Sequence, residues 1–394
     1  MRDVLCGEVR AYLDSARSGH PDAPDPDVWK ALESHGAVSG SPGAPQLTAI
    51  GEHVLSELNV IGYRADAQSL TAVSEGMGRL LTELDSVAKT AEYFLAELGP
   101  VAPVDALPLL RPVAIGLANR RETPEQLAEE FRNVWGSVEV MGGDPRDRLL
   151  AAELLNAAEA RIDRIYAPIM NTVQRIRESQ GERGSAVTAG TLLLLTAPAD
   201  GRPRLDAFHR LRSAIPNDEA AAMLTGVNAD TGIVLSLAEG FRQGLGATSS
   251  SDATLAASYL ATVRADPAQD IARTREIGAA LAARFPQPLT PAAMLAVRTS
   301  LAAHEIAHWV AKATEIARVR KLAPTESELS ALGLGLVCGL PASAFDFAAG
   351  AVADAGSPES RVRLLASTVA LHAWVYRPLI AAGSSPAPGA VSAN

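Results

Sequence analysis

Residues 151–196 read AAELLNAAEARIDRIYAPIMNTVQRIRESQGERGSAVTAGTLLLLT, and they set the pattern for most of the chain. A short Ala/Leu-rich stretch comes first. A long stretch follows in which Ile162, Ile165, Ile169, Val173 and Ile176 recur at three- and four-residue spacings, as one face of an amphipathic helix requires. TAGTLLLLT, which carries no charge, closes the block. The same order then returns. AAML begins at Ala221 and again at Ala292, offsets of 70 and 71 residues from the AAEL at Ala151 and the AAML at Ala221. The closing landmark returns as DATLAASYLAT from Asp252 and SELSALGLGLV from Ser327, with TGIVLSLAEGFRQGL and LAAHEIAHWVAKATEIARVRKL in between. Further helices, RLDAFHRLRSAI and DPAQDIARTREIGAALAARF, end the first two blocks, and RVRLLASTVALHAWVY from Arg361 opens a partial fourth. One such block cannot bury its apolar face alone, whereas stacked neighbours share a core. The expected fold is therefore all-α: a helical repeat array of about three units of roughly seventy residues, behind a small N-terminal domain.

Composition agrees. Hydrophobic residues make up 47% of the 394 and charged residues 20%, enough apolar surface for a core and too much for wholesale disorder. Aromatic residues, which favour strands, are only 4%, while the helix formers Ala and Leu dominate. The formal net charge of −10 excludes a globally basic, nucleic-acid-coating surface. Cys6 and Cys338 lie far apart without a CxxC, which points away from a disulfide framework and towards a reducing cytoplasm. The uncharged run Leu329 to Phe345 is broken by Gly and Pro and reads as buried helix rather than a membrane span. No secretory signal is spelled at the N-terminus.

Residues 1–62 differ from the rest. VWKALESHGAV is followed by the uncharged turn SGSPGAPQ and then by LTAIGEHVLSEL. Gly36 can end a helix in a left-handed cap, Pro42 and Gly43 can turn a hairpin, and Thr48 can cap the next helix. The order resembles the winged-helix domains of bacterial and archaeal regulators, with Leu32, Glu33 and Gly36 in the LE-x-x-G position and Leu47, Thr48 and Gly51 in the LT-x-x-G position. That resemblance implies a β wing and raises DNA as a partner. Against DNA, residues 1–62 carry four Arg and Lys against nine Asp and Glu, and the wing has no cation for phosphate. The helical remainder resembles uncharacterised bacterial families of all-helical proteins through an LAxxYLA-like stretch, Leu255, Ala256, Tyr259, Leu260 and Ala261. This resemblance implies fold alone.

One segment has catalytic spelling. His304-Glu305-Ile306-Ala307-His308 is H-E-x-x-H, which on a helix puts two imidazoles on one face for Zn or Fe, with Glu305 beside the metal as general base. Glu328 lies twenty residues after His308, a spacing that resembles the gluzincin metallopeptidases and makes it the third-ligand candidate. The gluzincin pattern needs an acid four residues after that ligand, where this chain has Leu332, and a strand before the motif helix, where it has PLTPAAMLAVRTSLAA. By alignment of the blocks, His304 and His308 also fall opposite Ile233 and Leu237, which read as packing positions. The arginines of NTVQRIRESQGER, Arg175, Arg177 and Arg183, read as a solvated helix face paired with Glu178 and Glu182. No nucleotide-phosphate loop and no G-x-S-x-G elbow is present.

The sequence therefore divides into a winged-helix-like domain (1–62), a helical connecting region or degenerate repeat (63–146), the repeat domain (147–380) and a disordered tail (381–394). The leading functional expectation is a non-enzymatic scaffold that binds a protein or peptide in a helical groove without a cofactor. The alternative is a metal-dependent hydrolase or related metalloenzyme using His304, Glu305, His308 and Glu328. A third reading is a DNA-binding regulator.

Overall fold

The computed structural model describes residues 2–19, 26–42, 44–52, 55, 66–98, 107–118, 123–180, 184–197, 203–227, 229–246, 250–263, 265–299, 301–340 and 358–371. The expected tail at 381–394, like Trp374 and Arg183, lies outside them.

The chain is mostly helical, with one two-stranded sheet near its N-terminus. After α1 (Arg2–Arg17), α2 (Pro26–Ser34) and the hairpin β1 (Val38–Ser41) and β2 (Ala44–Leu47), the helices fall into two alternating series. The first comprises α3 (Asp66–Leu98), α5 (Pro124–Glu139), α7 (Ile162–Gln180), α9 (Leu205–Ala214), α11 (Thr231–Gly244), α13 (Pro267–Leu281) and α15 (Ala303–Val319). Their described residues bury one stripe and expose the other. The second comprises α4 (Leu107–Leu117), α6 (Pro145–Ala157), α8 (Ala186–Leu195), α10 (Asp218–Thr225), α12 (Ser251–Thr262), α14 (Leu289–Arg298) and α16 (Glu326–Gly339). Their described residues are buried nearly all round, which is why they are short and rich in Ala, Leu, Thr and Gly, with most of their charged residues in the first or last turn.

Each helix of the second series packs on the next, from α4 through to α16, and α16 packs back on α4. The seven buried helices thus form a closed inner ring among the described residues, each backed by one member of the outer series, and α15 meets α3 where the outer layer closes. Successive inner helices start 32 (Asp218 to Ser251 gives 33, Ala186 to Asp218 gives 32) to 41 residues apart (Pro145 to Ala186). Each seventy-residue block of the sequence accordingly spans two hairpins: Ala151, Ala221 and Ala292 sit on α6, α10 and α14, while Thr188, Asp252 and Ser327 sit on the intervening α8, α12 and α16. Residues 107–118 and 123–139, from the segment expected as a helical connecting region or degenerate repeat, take part in the same ring and its outer layer.

The segment from Arg361 does not begin a further unit. With α16 seated on α4 no free edge remains to stack against, and α17 (Pro358–Ala370) instead lies against α6, α10, α12 and α14 at once. It packs on them with one face: Leu365, Ala366, Val369, Ala370 and Leu371 are buried, Leu364 is 49% exposed, and Tyr259 of α12 shares a hydrogen bond of 3.2 Å with Ser367. Part of the inner-helix surface that an open array would offer to a peptide is thus covered by the chain itself.

Hydrogen bonds fasten neighbouring inner helices at their ends. Asp147 of α6 accepts from the Val187 and Thr188 N–H groups of α8, both at 2.8 Å, while the Thr188 hydroxyl donates to the Asp147 carbonyl at 3.0 Å. Asp252 of α12 repeats the device on α14, accepting from Leu289 N at 2.8 Å and Thr290 N at 2.9 Å, with the Thr290 hydroxyl donating to its carbonyl at 3.1 Å. First-turn N–H groups have no intrahelical partner, so a neighbour's carboxylate satisfies donors that burial would leave stranded. At the opposite ends, the Arg298 guanidinium of α14 donates to the Cys338 and Leu340 carbonyls that end α16.

Burial pushes the Asp147 carboxyl up to about 6, and the negative charge of Glu219 adds to the rise; the hydrogen bonds from Thr188 and Val187 oppose it. The sign follows from linkage. Between the ordinary value of 3.8 and about 6 the folded chain holds this proton more tightly than the unfolded chain does. This group therefore makes unfolding progressively easier as the pH rises through that window, by about 2–3 kcal/mol in total. Comparing urea unfolding of the native chain and Asp147→Asn at pH 4 and pH 6.5 should show that pH-dependent difference diminished in the variant; an unchanged slope would refute it.

In the N-terminal unit β1 and β2 pair antiparallel from Val38↔Leu47 to Ser41↔Ala44. Gly36 ends α2 with φ +69°, its N–H donating to Glu33 and the Ala37 N–H to Leu32, as a left-handed cap requires. The Thr48 hydroxyl donates to the Gly36 carbonyl at 2.6 Å and accepts from Gly51 N at 3.2 Å, so it ties the hairpin's two flanks together. Among the described residues no helix is long and apolar enough to cross a membrane, and the described part of the 329–345 run is the buried α16.

Candidate functional site

His304 and His308 lie one turn apart near the start of α15. His304 is exposed and His308 half-buried. Burial, with the positive charge of Lys312 one turn on, lowers the His308 imidazole to about 4, so it is neutral at physiological pH. Its Nε2 meets no hydrogen-bond partner. Glu305 points back rather than towards the histidines: it is 2% exposed, and its carboxylate accepts from the Ala302 N–H at 2.6 Å, closing the first turn of α15. Glu328 has the equivalent duty in α16. It accepts from the Thr325 N–H at 3.2 Å and the Thr325 hydroxyl at 2.9 Å, and Arg111 of α4 stands 3.7 Å from it. A carboxylate committed to a cap is not presented to a metal, and among the described residues no three His, Cys, Asp or Glu side chains come together as a donor set. The four residues of the metalloenzyme reading are thus parts of two helix starts.

Ile233 departs from its expected role as a packing position, being 65% exposed, whereas Leu237 is half-buried and packs against the core as expected. Both line an open cleft of about 650 Å³ along the outer face of α11, with Pro267 of α13 also lining it. Asp230 caps α11 through the Gly232 N–H at 2.8 Å and orients its first turn. Two parallel stripes run from there. Gly232, Ser236 and Gly240 form a line of small residues four apart; beside it run Ile233, Leu237 and the buried Phe241. The two stripes give the cleft an apolar wall and a low floor over which another backbone can pass. Sequence reading missed this site because Ile233 and Leu237 look like core; the small residues at matching four-residue spacing were the available signal.

The remaining expected residues serve packing. Leu255, Ala256, Tyr259, Leu260 and Ala261 are all buried on α12. Trp309 is 1% exposed, and Trp135 stacks on Phe131 with ring centroids 6.5 Å apart. Burial pushes the free Cys338 thiol up to about 12, which leaves it unreactive. The hairpin of the N-terminal unit sits near α15: a Cβ at Gly36 would meet Lys312 Cε at 3.7 Å. No protein-family model, curated protein or solved structure matches the chain.

Proposed function

We propose that this chain is a non-enzymatic interaction protein that receives an amphipathic helix of a protein partner in the cleft along α11. The observation that carries the reading is Gly240. Glycine in a helix interior costs about 1 kcal/mol relative to Ala. Yet a Cβ at Gly240 would meet nothing within 4 Å, so the fold itself does not ask for glycine there. A partner backbone crossing α11 at close range would ask for it, with Ile233 as the exposed apolar anchor beside it. The repeating element of the scaffold is read as the helical hairpin, stacked seven times into a ring. The N-terminal hairpin unit is read as a winged-helix-like module that contacts protein rather than DNA, supported by a wing, SGSPGAPQ, without a cation.

The test is native pull-down from lysate with the full chain and two variants as bait. A stoichiometric partner should be held by the native chain, lost by Ile233→Asp and weakened by Gly240→Ala. The same Gly240→Ala change should raise the stability of the free chain by about 0.5–1 kcal/mol. No stoichiometric partner under gentle conditions, or one held equally by Ile233→Asp, overturns the reading.

A further inference from the structure

On the neighbouring outer hairpin, Arg175 of α7 and Arg204 and Arg210 of α9 surround a cleft of about 370 Å³ at the start of α9. We propose that this cleft binds a phosphate-type oxyanion, as free phosphate or on a small phosphomonoester. The arginines of this region divide sharply by duty. Arg177 donates to the Met141 and Gly142 carbonyls, and Arg212 pairs with Asp218. Arg175, by contrast, has no hydrogen bond or ion pair among the described residues. Among the described residues Arg210 reaches only the Asp206 backbone carbonyl, at 3.4 Å. Of the two acidic residues expected beside these arginines, Glu178 accepts from the Gln174 amide at 2.9 Å and Glu182 lies outside the described residues. Arg204 donates to the Val227 carbonyl at 3.4 Å.

Among the described residues the cleft is thus lined by three arginines and one carboxylate, Asp206, in a protein whose net charge is −10. The start of α9 adds to the field. No side chain caps this ten-residue helix at Arg204, so the Asp206 and Ala207 N–H groups take no side-chain acceptor among the described residues. Guanidinium forks and free first-turn N–H groups are the donors that tetrahedral oxyanions take.

The test is calorimetric titration of the full chain with inorganic phosphate and with glycerol 3-phosphate at matched low ionic strength. Saturable binding at one site per chain is expected for at least one of them. It should weaken roughly tenfold in each of Arg175→Ala and Arg210→Ala and disappear in the double variant. Arg161→Ala, which removes an exposed arginine paired with Asp163, should bind as the native chain does. Tighter binding of glycerol 3-phosphate assigns the cleft to an organic phosphate; equal binding assigns it to the free anion. Both altered arginines are exposed, and unchanged melting confirms that the variants fold. No saturation with either probe, undiminished binding in the double variant, or an equal loss in Arg161→Ala overturns the proposal.

Discussion

Val369→Asp is expected to remove about 4–5 kcal/mol of stability and to leave a chain that is largely unfolded or molten at room temperature. Val369 is 0% exposed on the face of α17 that packs against four inner helices. A carboxylate there loses its water and gains no designed partner. It must either stay neutral at a cost or open the ring to be hydrated. Domains hold only about 5–15 kcal/mol in total, so a loss of this size consumes much of it. Urea unfolding followed by circular dichroism measures the effect, and dye binding reports exposed apolar surface. Leu364→Asp is the control, because Leu364 on the same helix is 49% exposed. Near-native stability for Val369→Asp would mean that α17 does not bury this face against the inner helices.

Gly333→Val tests the seam between α15 and α16 and should cost about 3 kcal/mol or more. A Cβ at Gly333 would lie 2.6 Å from the Thr314 backbone N and 2.7 Å from its Cα. Backbone cannot swing aside as a side-chain tip can, so the two helices must separate. Every buried residue of the seam, Trp309, Val310 and Ala313 among them, then loses contact. Gly136→Val is the comparison, since a Cβ there meets nothing within 4 Å and the cost falls to ordinary helix propensity. Equal melting temperatures for the two variants would contradict the close approach.

Much of this fold is legible in the residues, for identifiable reasons. Several inner helices announce themselves by stretches without charge, such as TAGTLLLLT and the end of α16, because a helix middle enclosed on all sides cannot carry solvated charge. Landmarks of one wording fall on α6, α10 and α14 and those of another on α8, α12 and α16, so the seventy-residue spacing of the letters spans two inner helices. Closure is not legible at all. The contact of α16 with α4 joins segments some two hundred residues apart, and apolar residues do not declare which apolar neighbour they meet. The position of α17 is hidden for the same reason: its pattern does not say which of the other helices its apolar face meets.

The sites follow the same logic. H-E-x-x-H fixes two imidazoles at helical spacing and nothing about a third ligand. Thr325-Glu326-Ser327-Glu328 is itself a capping-box spelling, and the structure uses Glu328 that way. Gly36 and Thr48 could be placed from sequence because their duties are local. Ile233 could not, because exposure depends on which neighbour stands opposite.

Native-state hydrogen exchange of the full chain tests the closed ring most directly, since a ring has no terminal unit to fray whereas an open array does. The slowest amides of α4, α16 and α17 should exchange only through the same global opening as those of α8 and α12, with one common dependence on denaturant. Separate low-energy opening of α4 or α16, or exchange of α17 at the rate of unstructured chain, would contradict it.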